Sequence, residues 1–478
     1  MSHLTTFFSR FASRTHNSHL CLTLPTEPQP PRLCWTSDQL PAFVRTCPVA
    51  MKYHGLLGVL DWENFPERDE DCPWPGTIPH ARLPYAAAFL IKLDQGLGSL
   101  GKLHAFLAEH PALVWLLGFP LTASPYFPWG FDCQQSLPSP RQFSNILRTL
   151  PNATLQFLLD ETVCLLQQVV PTPQLFGDQV SLDTKHILAW VRENNPKEFV
   201  RDRFDKTKQP AGDPDCKLGC KERSNQRSKT PTTEGVPAQT ISVGTFYWGY
   251  ASGVVVAKVP KVGEIVLAEF TQPFNAGETT YFFPLMAQVE RRLGRRPRFG
   301  ALDAAFDAHY IYDYFHEAGG FAAVPLAKRG KTEMNFDEEG LPLCQAGLSM
   351  PVKNSFWNRK GLVDQRQARH ACPLLYPDPT GESCPIQHAR WEKGGCCVTL
   401  GTSPGARIRY QLDREGQTFK DLYDQRTASE RIFSLGKDLG MERPKLRNQD
   451  SIANLNTLTY VLINLRTLHR SRNNPRND

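Results

Sequence analysis

Along the chain the spacing of apolar positions changes twice, and each change marks a division. Up to about Pro84, prolines and polar residues interrupt any regular pattern, so residues 1–83 are expected to form an irregular N-terminal arm and loop. Beyond it, "YAAAFLIKL", "SLGKLHAFLAEH" and "PALVWLLGF" place apolar residues three and four apart, the repeat of an amphipathic helix. Ser139 as N-cap, Pro140 at the first helical position and Gln142 at the third mark another helix start. "TLQFLLDETVCLLQQVV" continues as a strongly apolar helix. Residues 84–173 thus read as an all-helical module for DNA binding or dimerisation, with a break at "PTPQLFGD" clean enough to let it fold alone.

After that break the pattern turns to short β-branched runs. One, within "DQVSLDTKHILAW", is expected to end at Asp183, and the polar stretch from Asn194 to Gln239 to be a long connection. "TFYWGYASGVVVAKV" and "GEIVLAEFT", separated by Pro, Lys and Gly, read as a hairpin. Then come a helix, "TTYFFPLMAQVERRLG", a strand, "RFGALD", ending in Asp303, a helix with glycines at its end, "AHYIYDYFHEAGG", and a strand, "FAAVPLA". Three strands followed by strand-helix repeats, with acids at two strand ends, is the order of a ribonuclease-H-like α/β fold. Residues 174–327 would hold the first part of this catalytic domain. Residues 328–414, rich in Pro, Gly, Cys and charge, read as an insertion, and 415–478 as a catalytic helix followed by a C-terminal helix.

The helical stretch "LYDQRTASERIFSLGK" carries Tyr423, Arg426, Glu430 and Lys437 at steps of three, four and seven, which brings them within an arc of roughly 60°. On a solvated helix such a pairing is worth only a few tenths of a kcal/mol. Two upstream acids at strand ends change its meaning. In an open α/β sheet the functional crevice lies at strand ends, so Asp183 and Asp303 are candidates to converge, with Glu430 presented between them. Three carboxylates around one crevice repel, and Mg²⁺ or Mn²⁺ relieves the repulsion through oxygen coordination. Two such ions would suit an in-line phosphoryl displacement. Asp307 competes as the second acid but stands where a helix N-cap belongs.

Those residues resemble the bacterial insertion-sequence transposases of the DDE type. Tyr423, Arg426, Glu430 and Lys437 match the Y-x2-R-x3-E-x6-K signature of that family, and "YDQRTASER" is close to its usual wording. The likeness covers roughly Gln179 to Leu468. It departs after the acids, where Thr184 follows Asp183 directly and "DAAFD" replaces the usual Gly-Tyr. The resemblance implies metal-dependent cleavage and strand transfer by Asp183, Asp303 and Glu430. Arg426 and Lys437 would hold phosphates of the transposon end, and Tyr423 would bear on the adjacent nucleotide or phosphate. Double-stranded DNA, both transposon end and target, would be the partner, with a homodimer in the active complex. Two alternatives stand beside it: a catalytically inert DNA-binding regulator descended from such an enzyme, and a ribonuclease-H-like nuclease without strand transfer.

Composition adds less. With 54 Lys and Arg against 48 Asp and Glu the formal charge is +6, so nucleic-acid binding would rest on local clusters such as "RRLGRRPR", Arg291 to Arg298, and the basic tail after Arg443. Thirteen cysteines at irregular spacing suit a reducing, cytoplasmic setting. No apolar run is long enough to span a membrane, and the Arg- and Ser-containing start reads as a basic arm rather than a transit peptide. Cys216 and Cys220 make a poor half of a zinc site. In the insertion, Cys344, Cys372, Cys384, Cys396 and Cys397, with His370 and His388, include enough ligands for structural zinc, although buried thiols are the plainer reading. Trp357 and Trp391 lie there too. The resemblance would have one stack on a displaced base, and core packing is the plainer role. His186 and His309, near the acids, read as orienting or packing residues.

Overall fold

The computed structural model describes residues 30–68, 80–227, 240–327 and 333–473, and for 221–227 and 240–244 the backbone alone. The basic arm lies outside these residues. Helices form where apolar residues recur three and four apart: α2 (Leu83–Asp94), α3 (Leu100–Ala108), α4 (Pro111–Leu117), α5 (Pro140–Thr149) and α6 (Asn152–Val169). Ser139 caps α5, its side chain accepting from the Gln142 N–H at 3.3 Å. The stretch before them is more ordered than expected. Pro48–Leu57 forms a helix, α1, that buries Ala50, Tyr53, Leu56 and Leu57. Pro48 starts that helix instead of breaking it, because a first-turn residue needs no intrahelical N–H donor.

The β-branched runs pair into one mixed sheet of β1 (Gln179–Leu188), β2 (Lys217–Arg227), β3 (Thr240–Val259), β4 (Gly263–Pro273), β5 (Phe299–Leu302) and β6 (Phe321–Ala323). Its order is β4–β3–β1–β5–β6, with β2 on the first half of β3. β1, β3 and β4 are antiparallel neighbours, whereas β1, β5 and β6 run parallel. Two expectations need correcting here. Asp183 is not a strand end but the fifth residue of a ten-residue strand. The supposed connection from Asn194 to Gln239 also contains β2, whose sequence KLGCKERSNQR carries no alternating apolar signal.

Helices α7 (Phe282–Leu293) and α8 (His309–Glu317) cover one face of the sheet. The insertion follows as a three-stranded antiparallel sheet of β7 (Val352–Asn358), β8 (Gln365–Ala371) and β9 (Cys397–Gly401), then α9 (Pro404–Gln411). The chain returns through α10 (Gln417–Tyr423), a 3-10 turn at Asp424–Arg426, and α11 (Thr427–Asp438). It ends in α12 (Gln449–Asn473).

That last helix governs the architecture. It packs against α2, α5, α6 and β4, and is buried on all sides from Asn454 to Leu465. Its core cluster joins Tyr53 and Leu56 of α1, Phe89 of α2 and Leu158 of α6 to Val254 and Val266 of the sheet. The helical module therefore does not close its own core, contrary to its clean boundary in sequence. Buried polar groups tie the same elements together. The Asn464 amide donates to the Val266 carbonyl at 2.9 Å and accepts from the Val266 N–H at 2.9 Å. Glu269 of β4 accepts from Gln156 at 2.7 Å and from Thr457 at 2.5 Å. Among the described residues no helix is long and apolar enough to cross a membrane.

Candidate active site

The parallel ladder decides where the acids meet. Leu182 of β1 registers with Leu302 of β5, so the residues that follow, Asp183 and Asp303, emerge side by side where that ladder ends. Asp303 leaves the sheet as N-cap of the turn Ala304–Phe306, accepting from the Ala305 N–H at 2.8 Å. Asp183 accepts from the Thr184 N–H at 2.7 Å.

Helix α11 packs across β1 and β3, and the 3-10 turn before it lies over β1 and β5. The expected single helix from Leu422 to Lys437 is thus broken at Asp424–Arg426, but the backbone there stays near helical angles and keeps the i,i+4 geometry. Arg426 sits between two acids. Its Nη1 is 3.5 Å from Asp183 Oδ2 and its Nη2 is 2.6 Å from Glu430 Oε1. Tyr423 lies beneath that guanidinium at 5.8 Å and stacks on Phe419. Lys437 stands apart at the far end of α11, exposed and 3.8 Å from Glu442. The structure therefore gathers Tyr423, Arg426 and Glu430 at the two aspartates and leaves Lys437 outside the group.

Electrostatics mark Asp183 as the strained member. Burial pushes its carboxyl up to about 6, with Asp303 and Glu430 adding to the rise against the Thr184 hydrogen bond and Arg426. Loss of hydration penalises the charged form, and each neighbouring carboxylate penalises it further.

A fourth acid, missed from the sequence, belongs to the same cluster. Glu278 opens the short turn Glu278–Tyr281 ahead of α7, and that turn touches the one capped by Asp303. Burial, then Asp303 and Asp183, push its carboxyl up to about 7, opposed by a hydrogen bond with Thr184. Its Oε2 is buried without a hydrogen-bond partner. Gly253 places it there. A Cβ at 253 would come within 2.6 Å of the Tyr281 ring, so only glycine lets this turn press onto the strand opposite Thr184. The Tyr281 hydroxyl fixes the approach by donating to the Ala251 carbonyl at 3.0 Å. In sequence Glu278 sits in the polar "NAGETT", and no spacing links it to the other acids.

Asp307 takes no part. Its carboxylate is buried against Arg409, whose Nε and Nη2 approach at 2.8 and 2.5 Å, and it also accepts from the Tyr312 hydroxyl and the Ala327 N–H. The cap position of α8 belongs to Ala308 instead. Removing one partner of such a buried pair costs about 3–5 kcal/mol, more than a capping bond.

The chemistry of the donor set suits a hard cation, since every acid here offers carboxylate oxygen and one oxygen is buried and unpartnered. As the chain stands, Glu430 is turned to Arg426. Among the described residues no three His, Cys, Asp or Glu side chains already stand in a metal-holding arrangement.

Other candidates sort themselves by contact. The basic run from Arg291 to Arg298 is consumed internally: Arg291 and Arg292 bind Asp160, Arg295 and Arg298 bind Asp178, and Arg296 bridges Glu290 and Glu317. The basic residues after Arg443 are placed otherwise. Lys445 and Arg447 line a cavity of about 580 Å³ with Arg141 and Arg148 of α5 and with Trp190, which is 52% exposed. Trp357 is exposed on β7, against the expectation of core packing, while Trp391 packs on the small core of the insertion. His186 packs against Phe274 and His309 against Tyr310. The buried Cys216 thiol donates to the Asp213 carbonyl. Comparison with protein-family models, with curated proteins and with solved structures yields no match.

Proposed function

We propose that this protein is a DNA transposase of the DDE type, using Asp183, Asp303 and Glu430 to cut the ends of its element and join them to target DNA. The observation that carries the reading is the pairing of Asp183 and Asp303 at the end of one parallel ladder, with Arg426, from the turn before α11, set between Asp183 and Glu430. The strand order β4–β3–β1–β5–β6, three antiparallel and then two parallel, supports a ribonuclease-H-like catalytic domain. The insertion between β6 and α10 and the helices ahead of β1 accord with it.

Mg²⁺ or Mn²⁺, as two ions held by Asp183, Asp303 and Glu430, would supply Lewis acidity to the attacking and leaving oxygens of a phosphodiester. Glu278 Oε2 is available to the same ions. The chain's own groups do the positioning. Asp303 is held by its cap bond and Asp183 by the Thr184 N–H, so neither carboxylate is free to swing. Arg426 holds Glu430 until a DNA phosphate competes for the guanidinium, which frees the acid and fixes the register of the scissile bond at once. The basic cavity beside Trp190, seven residues beyond Asp183 and roughly 20 Å along the strand direction, would receive more of the DNA backbone. A cytoplasmic enzyme acting as a homodimer on double-stranded DNA is the form this reading takes.

The test uses full-length protein and a duplex carrying the element's terminal repeat, identified as the inverted repeats that bracket the gene. Asp183→Asn, Asp303→Asn and Glu430→Gln should each lower Mg²⁺-dependent cleavage by about 10³-fold or more while terminal-repeat binding stays within a few-fold. A Glu430→Gln protein that cleaves at full rate removes the proposal. Cleavage without joining favours the nuclease, and binding without cleavage in the wild type favours the regulator.

A further inference from the structure

We infer that the insertion holds one structural zinc ion through Cys344, Cys372, Cys384 and Cys396. Those four residues span more than fifty positions of sequence, yet they share the wall of one cavity of about 720 Å³. Cys372 and Cys384 are buried with Leu374 as the small core of this lobe, and Cys396 packs against them. Cys396 hydrogen-bonds Cys372 and lies close enough to Cys344 to feel its charge. All four are free thiols.

The backbone is shaped to bring them together. Cys344 begins a tight turn, its N–H and carbonyl bonded to Leu348 and Gly347 at 2.9 Å each. Gly395 runs directly against Cys372: a side chain there would lie 2.7 Å from Cys372 Cβ and 3.4 Å from its Sγ. Its φ of +80° is the second reason for glycine, and together they deliver Cys396 to Cys372.

The contacts also exclude the other candidates. Cys397 reaches the same wall, but its Sγ faces the guanidinium groups of Arg369 and Arg390 at 3.8 and 4.0 Å. His370 donates from Nδ1 to the Met350 carbonyl at 3.0 Å and lies outside the wall of the thiol cavity. His388 accepts the Arg390 N–H on Nδ1 at 3.1 Å, which leaves its proton on Nε2, and that atom is buried without a partner. It is therefore a donor at the edge of the thiol pocket, suited to a thiolate and unsuited to a metal.

A physical need accompanies the geometry. Between Ala371 and Cys397 the only regular element is the turn Trp391–Lys393, and so few apolar side chains are buried that the loop requires a staple. Four thiolates around Zn²⁺ supply one, with release of the thiol protons on binding. Cys396 and Cys372 stand as hydrogen-bonded neighbours, and among the described residues no three ligands already share a coordinating arrangement, so binding would require rotation of the cysteine side chains.

The experiment measures zinc in full-length protein purified without chelator, with titration of its thiols by a mercurial reagent. About one zinc per chain is expected, released as four thiols react. Cys344→Ser, Cys372→Ser, Cys384→Ser and Cys396→Ser should each lower zinc content about tenfold, and Cys397→Ser should retain it. If the serine variants prove insoluble, cobalt exchanged into the wild type should show the intense visible bands of a tetrahedral thiolate site. Wild-type protein with less than about 0.1 zinc per chain, a disulfide among these cysteines in mass spectra, or zinc loss in Cys397→Ser alone overturns the inference.

Discussion

At the residue scale, the site is a set of carboxylates held at a cost. Asp183 and Glu278 have carboxyl groups pushed up to about 6 and about 7, and the buried Glu269 beneath α12 to about 7. A raised acid value means that the folded chain binds protons more tightly than the unfolded one. Stability is therefore greatest below about pH 4 as far as these groups are concerned, and falls as pH rises through 6 to 7. Replacing Asp183, whose side chain is 18% exposed, removes its share of that cost. Asp183→Asn should leave the melting temperature near wild type at pH 4 and raise it at pH 8, by an amount equivalent to about 1–3 kcal/mol. Added Mg²⁺ should raise the wild type at pH 8 and the variant much less. Thermal unfolding across that pH range checks both, and equal destabilisation of Asp183→Asn at pH 4 and pH 8 would mean that the carboxylate is structural.

At the scale of the element, α11 and the turn before it divide the signature residues into two roles. Arg426 pairs with Asp183 and Glu430, whereas Lys437 lies seven residues beyond Glu430, about 10 Å along the axis or some three nucleotides of one strand. Arg426→Ala should therefore lower cleavage and weaken terminal-repeat binding. Lys437→Ala should weaken binding while leaving cleavage of saturated complexes within a few-fold. Each should reduce the slope of log affinity against log salt by about one. An affinity series across salt, with melting temperature as control, separates these effects. Unchanged slopes in both variants would return this helix face to solvent, where such pairs contribute at most about 0.5 kcal/mol.

At the scale of the whole molecule, α12 makes the helical layer and the sheet one body. Residues 30–173 expressed alone should be largely unfolded or aggregated by circular dichroism and sedimentation, because Leu158, Phe89 and Tyr53 lose the helix they pack on. A cooperative thermal transition in that fragment would restore the self-contained module suggested by "PTPQLFGD". Local signals were legible in the chain itself. Apolar spacing set the helices, β-branched runs with turn residues set the hairpin β3–β4, and the offsets 423, 426, 430 predicted a shared face, because each depends on neighbours a few positions apart. The pairing of strands far apart in sequence was not legible. That Asp183 and Asp303 could converge was readable from their place among the strands, whereas the register Leu182 with Leu302 that sets them side by side, and the entry of Glu278 through Gly253 yielding space to Tyr281, were not. The same holds for the paired fate of Arg291 to Arg298, the buried bridge of Asp307 and the polar helix α12 at the centre of the core. Their partners lie a hundred or more residues away in most cases, so only closure of the chain in three dimensions decides whether a charge faces solvent, a counter-charge or a metal.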